Sequence, residues 1–213
     1  MSGFRNAEGK PIVDRMIVVI HENRARLSEI DGAIGDGDHG INMDKGFTLA
    51  EQEMAGRQVS FSDALKTLGR TLVMKIGGSV GPLYGSMFKS MARAAKDAET
   101  VDAGVLKEML TAGRAAIAEL GEATVGDKTM VDTLEPAMIA VTEAVANGAD
   151  LPQAVDSMIA AAEAGWKSTE DLVAKIGRAA RLGERSRGTV DAGATSCYLL
   201  LKAMGEAMKE LAS

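Results

Sequence analysis

Apolar residues recur at three- and four-residue intervals along most of this 213-residue chain, and the period-two alternation of half-buried strands is scarce. That periodicity predicts helices. Ile12, Met16, Ile20 and Leu27 share one side of a first segment, from about Pro11 to Leu27, with the proline near its start. A second helix is predicted from about Asn42 into Ala55. A third starts at Ser62, read as its N-cap, and carries Leu65, Leu68 and Leu72. Pro82 opens a fourth, which ends near Lys96, and Asp102 caps a fifth that reaches about Leu120. A sixth runs from about Thr129 to Ala146 and stops at Asn147-Gly148, with Pro136 expected to kink or divide it. A seventh extends from Pro152 to about Lys175, and an eighth from about Ala194 to Leu211.

Hydrophobic residues make up 46% of the chain but aromatics only 3%, so Ala, Leu, Met, Val and Ile must build the core. That composition favours helix over sheet. Eight helices joined mostly by short connections imply an all-α, up-and-down antiparallel barrel or bundle. With no linker, repeat or low-complexity tract, residues 1–213 read as a single domain. The connections differ in kind. Those after helices one, three, five and seven are glycine-rich or charged, and the even-numbered ones are plain. Alternate loops of an up-and-down array gather at one end, so the unusual loops should converge on one site.

The first of them reads IGDGDHGINM from Ile34 to Met43, with Asp31 just upstream, which places three aspartates in one short glycine-rich turn. Crowded carboxylates repel one another unless a cation sits between them, and hard oxygen ligands with room for water and phosphate suit Mg2+. Other readings of these residues are weaker. Gly35-x-Gly37-x-x-Gly40 satisfies the letter of a dinucleotide fingerprint, but its aspartates would repel a pyrophosphate and no convincing strand precedes it. An EF-hand beginning at Asp36 would need glycine where Ile41 stands and glutamate where Phe47 stands. A solvated acidic turn remains the plain alternative.

The third-to-fourth connection, GGSVGPLYG from Gly77 to Gly85, leads glycines and a serine into a helix N-terminus, where free N–H groups favour an anion. After helix five, GEATVGDKT nearly spells a P-loop, but Asp127 intrudes between Gly126 and Lys128. Lys128 is expected to pair with an aspartate, or Thr129 to cap helix six. The last connection holds Arg178, Arg181, Arg185 and Arg187, the densest positive cluster in the chain, suited in part to phosphate and in part to Glu184 and Asp191. Asp191-Ala192-Gly193 then enters helix eight. A net charge of −6 without a basic stripe argues against nucleic acid, and no apolar run approaches membrane-span length. Cys197 is the only cysteine, so no internal disulfide forms, which fits a reducing cytoplasm.

GDGDHGINM, GGSVGPLYG, GDKTMVDTLEPA and GRAARLGERSRGTVDAGATS, in that order, resemble the nucleotide-binding L subunit (DhaL) family of dihydroxyacetone kinases. The resemblance spans about Asp31 to Ser196. It implies an eight-helix barrel with ADP or ATP and Mg2+, two ions, at one end. On this resemblance Asp31, Asp36 and Asp38 ligate the metal. His39, Gly40, Ile41, Asn42 and Ser79 line the phosphates, with Val80 where the family commonly has a serine. Gly121 and Met130 lie on the base side, Arg178 approaches the phosphates, and Asp191, Ala192 and Gly193 close the site. His39 and Arg178 are the implied phosphate stabilisers. In the family the ketose is held on a separate K subunit, so this chain is expected to work in trans. A phosphohistidine-carrying M subunit of the phosphotransferase system would then rephosphorylate bound ADP. A homodimer is left open. The alternatives are an ATP-consuming kinase of dihydroxyacetone or a tetrulose, a fatty-acid-kinase-like binding module, and a metal-dependent phosphohydrolase.

Overall fold

The computed structural model describes residues 2–212. Among them eight α-helices carry the fold: α1 Lys10–Ile34, α2 His39–Met54, α3 Phe61–Lys75, α4 Val80–Ala95, α5 Ala103–Ala118, α6 Val131–Ala146, α7 Leu151–Ser168 and α8 Ala192–Leu211. Each packs against its neighbours in sequence, and α8 returns to α1, which closes the ring into an all-α up-and-down barrel. A two-residue antiparallel pair, β1 Phe4–Arg5 with β2 Thr100–Val101, ties the N-terminal segment to the α4–α5 connection. Sequence patterning gives no sign of strands so short.

Methionine and alanine fill much of the interior, with Phe47, Phe61, Phe88 and Tyr84 as the bulky members. Unbranched methionine side chains conform to the irregular gaps between eight helices. Cys197 is wholly buried on α8, and burial pushes its thiol up to about 12. The unfolded thiol ionises near its ordinary 9.0, so stability falls as pH rises from there toward 12. At pH 8 the native thiol is neutral and enclosed. Iodoacetamide should therefore leave Cys197 unmodified until denaturant is added, as read by mass spectrometry; ready alkylation of the folded chain would contradict its placement.

Several helix limits differ from the sequence expectation. Ser60, not Ser62, caps α3, its side chain accepting the Asp63 N–H at 3.1 Å. Ser62 is buried within the first turn, its N–H donated to Asn6 Oδ1 at 3.1 Å. Asp102 caps α5 as expected, accepting from Val105; Asp191, accepting from Ala194, and the Asp150–Gln153 capping box before α7 are caps that the sequence reading does not name.

α6 runs unbroken through Pro136 rather than being divided there. Proline lacks the N–H that would bond the Asp132 carbonyl. That carbonyl turns instead toward α7, where Gly165 approaches so closely that a methyl would stand 2.0 Å from the oxygen. α7 ends at Ser168, short of the expected Lys175. Beyond it the carbonyls of Thr169 and Leu172 turn to a buried lysine on the α5–α6 connection.

Candidate functional site

In an up-and-down ring every even-numbered helix starts at the same end. The N-termini of α2, α4, α6 and α8 therefore surround one mouth, and the connections that precede them line a cleft of about 330 Å³. Its walls take Asp36, Ser79, Thr129 and Arg178 from the four odd-numbered connections. The expected convergence of these loops is what the fold produces. Four helix N-termini aimed at one space favour a negatively charged occupant.

The three acids arrive by different routes. Asp31 is not in a turn. It occupies the last turn of α1, which continues well past Leu27, and its carboxylate accepts the His39 N–H at 3.2 Å. Asp36 lies in the connection, and Asp38 stands at the N-cap position of α2 without making a side-chain capping bond. One carboxylate oxygen from each can be chosen so that all three lie within 4.8 Å of one another. Such hard, mostly solvent-facing oxygen donors suit a divalent cation that keeps part of its water shell. Arg178 reaches across from the α7–α8 connection to pair with Asp36.

Beside the acids, His39 Nε2 and Ser196 Oγ are hydrogen-bonded at 2.8 Å. Ser196 also lies 2.6 Å from the Tyr84 hydroxyl, and both hydroxyls reach the Gly193 carbonyl, at 3.1 and 2.9 Å. Burial pushes the imidazole down to about 4, opposed by the Asp31 carboxylate, so the ring is neutral at neutral pH. Burial also pushes the Asp191 carboxyl up to about 6, against the Ala194 N–H that it accepts. Tyr84 is raised well above the ordinary phenol value, again chiefly by burial.

Most residues implied by the motifs border the cleft: the three acids, His39, Asn42, Ser79, Val80, Met130, Arg178, Asp191, Ala192 and Gly193. Three do not. Gly40 is buried against the backbone of α1, Ile41 points outward and is 47% exposed, and Gly121 sits on the surface with open space around it. Val80, 4% exposed, packs into the core with its side chain. Of the arginines, Arg187 pairs with Glu184, while Asp191 caps α8 instead of meeting a guanidinium. Among the described residues Lys128 pairs with no aspartate; it donates to three carbonyls. Thr129 does not hold the cap position of α6, which falls to Met130 without a side-chain bond; one residue earlier, the Thr129 hydroxyl accepts the Val131 N–H at 3.1 Å, beside the Asp132 carboxylate that accepts the Thr129 N–H. Sequence reasoning does not single out Tyr84 and Ser196, because a tyrosine inside GPLYG and a serine closing DAGATS look like ordinary helix residues.

Comparison with known proteins bears on this end of the barrel. A family model described as the DAK2 domain matches residues 33–206. The "PEP-dependent dihydroxyacetone kinase 1, ADP-binding subunit DhaL" of Listeria innocua is 41% identical over 87% of this chain and 88% of its own length. The "PTS-dependent dihydroxyacetone kinase, ADP-binding subunit DhaL" of Lactococcus lactis is 39% identical over 88% of this chain and 90% of its own. Among solved structures, the dihydroxyacetone kinase from C. freundii in complex with AMP-PNP and Mg2+ superposes with a TM-score of 0.72 at 23% identity. That match covers 97% of this chain but 35% of the larger protein, and it bears on the fold.

Proposed function

The chain belongs to the DAK2-domain family of dihydroxyacetone kinase L subunits, and we propose that it is the nucleotide-holding subunit of a short-ketose kinase. It binds ADP or ATP with Mg2+ in the four-loop cleft and passes phosphate to a ketose held on a separate K subunit. The observation that carries this is the convergence of three carboxylates and four helix N-termini on one cleft. Phosphoryl transfer depends on positioning and charge neutralisation more than on covalent chemistry. Asp31, Asp36 and Asp38 would hold Mg2+, two ions on the family pattern, which when bound neutralises phosphate oxygens.

The chain's own groups do the rest. The helix N-termini orient the phosphates, and His39, neutral and held by Ser196, offers an uncharged ring beside them. Ser79, at the N-cap position of α4, makes no side-chain capping bond, which leaves its hydroxyl for a ligand. Arg178, paired with Asp36, supplies a positive charge at the mouth. Met130 and Leu83 give the cleft apolar wall for a base.

Transfer in trans requires a partner to approach this end. Ile41 and Met74, in the first turn of α2 and the last of α3, and Val125 and Ile176, in the connections before α6 and α8, are all 42% exposed or more and lie at this end of the barrel. An apolar rim around a charged mouth suits a protein partner that covers the site and excludes water. No helix of the described residues is long and apolar enough to cross a membrane.

The names of the two relatives favour the form in which ADP stays bound and an M subunit rephosphorylates it. Purification followed by extended dialysis tests this. Nearly stoichiometric ADP should remain, and the isolated chain should show no kinase activity. Free exchange with ATP would instead support the ATP-consuming form.

A further inference from the structure

Lys128 is among the largest fully buried side chains, 1% exposed, and although it borders the cleft its ammonium turns away to backbone carbonyls of the α7–α8 connection. Its ammonium donates to the carbonyls of Thr169 at 2.6 Å, Leu172 at 3.1 Å and Thr189 at 2.6 Å. It takes part in no ion pair among the described residues, and burial lowers its pKa against the pull of Asp191. Its backbone is also unusual, with a φ of 64° where other left-handed residues are glycines. A buried charge is a poor source of stability, because the lost hydration roughly cancels what its partners return. What it provides is a fixed arrangement.

The three acceptors define that arrangement. Thr169 and Leu172 lie where the chain leaves α7, and Thr189 lies where it returns to α8. Between them the chain makes an exposed excursion that carries Arg178 to the cleft. One ammonium therefore staples both ends of one loop. Asp127 adds a tie on the same side, accepting the Lys175 N–H at 3.2 Å and its ammonium at 3.1 Å. Holding both ends removes much of the chain entropy that would otherwise scatter the loop.

We propose that Lys128 is a positioning residue for phosphoryl transfer: by stapling the two ends of the 172–189 excursion, it fixes Arg178 at the mouth of the cleft. The proposal rests on the nucleotide reading of that cleft, and three readouts separate the two.

Lys128→Met, of similar length and uncharged, should keep its helical circular dichroism while trypsin cuts at the loop arginines at least about tenfold faster than in wild type. In the reconstituted kinase it should lower kcat as Arg178→Ala does, with a smaller change in ADP·Mg2+ affinity. The double variant should be no slower than the slower single one, because both remove the same interaction. Wild-type protection of the loop in Lys128→Met, or losses that multiply in the double variant, would overturn the proposal. Failure of the wild-type chain to bind ADP·Mg2+ would instead remove the nucleotide reading, and the trypsin comparison would still decide the staple. Should Lys128→Met not fold, the wild-type chain suffices. Amide exchange at Arg181, Arg187 and Gly188 must then proceed no faster than reductive methylation of Lys128, and loop opening while the amine stays protected would refute the staple.

Discussion

Asp36→Ala should weaken Mg2+-dependent ADP binding by about a hundredfold or more, with little change in thermal stability. Two effects oppose each other at this position. Removing the carboxylate takes away one of three oxygen donors that lie within 4.8 Å, and it also frees Arg178 from its ion pair to meet phosphate directly. The pair is solvent-exposed on both sides, 58% for the arginine and 40% for the aspartate, so releasing it is worth at most about 1 kcal/mol. A hundredfold loss of affinity is about 2.7 kcal/mol. The metal term wins, and the net effect is loss. Calorimetry on the variant with ADP and Mg2+ checks it, and wild-type affinity would remove Asp36 from the metal site. Because Asp36 is exposed, the unfolding midpoint should not move; a large fall would point to a structural role instead.

Gly40→Ala should destabilise the fold by about 2–4 kcal/mol, and should weaken nucleotide binding through the same displacement. Gly40 sits in the first turn of α2, where that helix crosses α1. A methyl there would stand 2.1 Å from the Arg24 carbonyl oxygen, 2.6 Å from Ser28 Oγ and 2.8 Å from the Ser28 nitrogen. Two of these three atoms are helical backbone and cannot rotate away, so α2 must move. Alanine's better helix propensity would return at most about 1 kcal/mol, too little to compensate. Asp38 and His39 immediately precede the clash, while Asp31 stays on α1. The shift therefore separates groups that must act together. Urea unfolding measures the loss. Gly32→Ala is the control: its methyl would meet nothing closer than 3.8 Å, so it should be neutral or slightly stabilising. A Gly40→Ala variant as stable as wild type would refute the tight crossing.

Gly40 also illustrates what was readable beforehand. The eight helices, the ring order that follows from short connections, and the meeting of the odd-numbered loops all follow from periodicity and loop composition. They are local signals propagated by a simple topology. What local patterns do not encode depends on contacts between distant segments. Glycine next to an acidic motif suggests phosphate, yet Gly40 answers to α1 behind it. Asp31 looked like a turn residue because glycines surround it, whereas the helix tolerates Gly32 and ends only where Gly35 donates to the Asp31 carbonyl. Ser62 lost its capping role to Ser60 because Asn6, far away in sequence, claims its N–H. Lys128 was expected to find a carboxylate. The carbonyls that it meets belong to a segment whose course no local pattern predicts.

On the proposed function, the four-loop cleft holds a nucleotide through a cation on Asp31, Asp36 and Asp38. Titrating ADP into the nucleotide-stripped wild-type chain, once with Mg2+ and once with EDTA, tests it most directly. Binding should be saturable at one ADP per chain with Mg2+, with affinity at least about a hundredfold weaker in EDTA. Equal affinity in both buffers, or no binding in either, would contradict it.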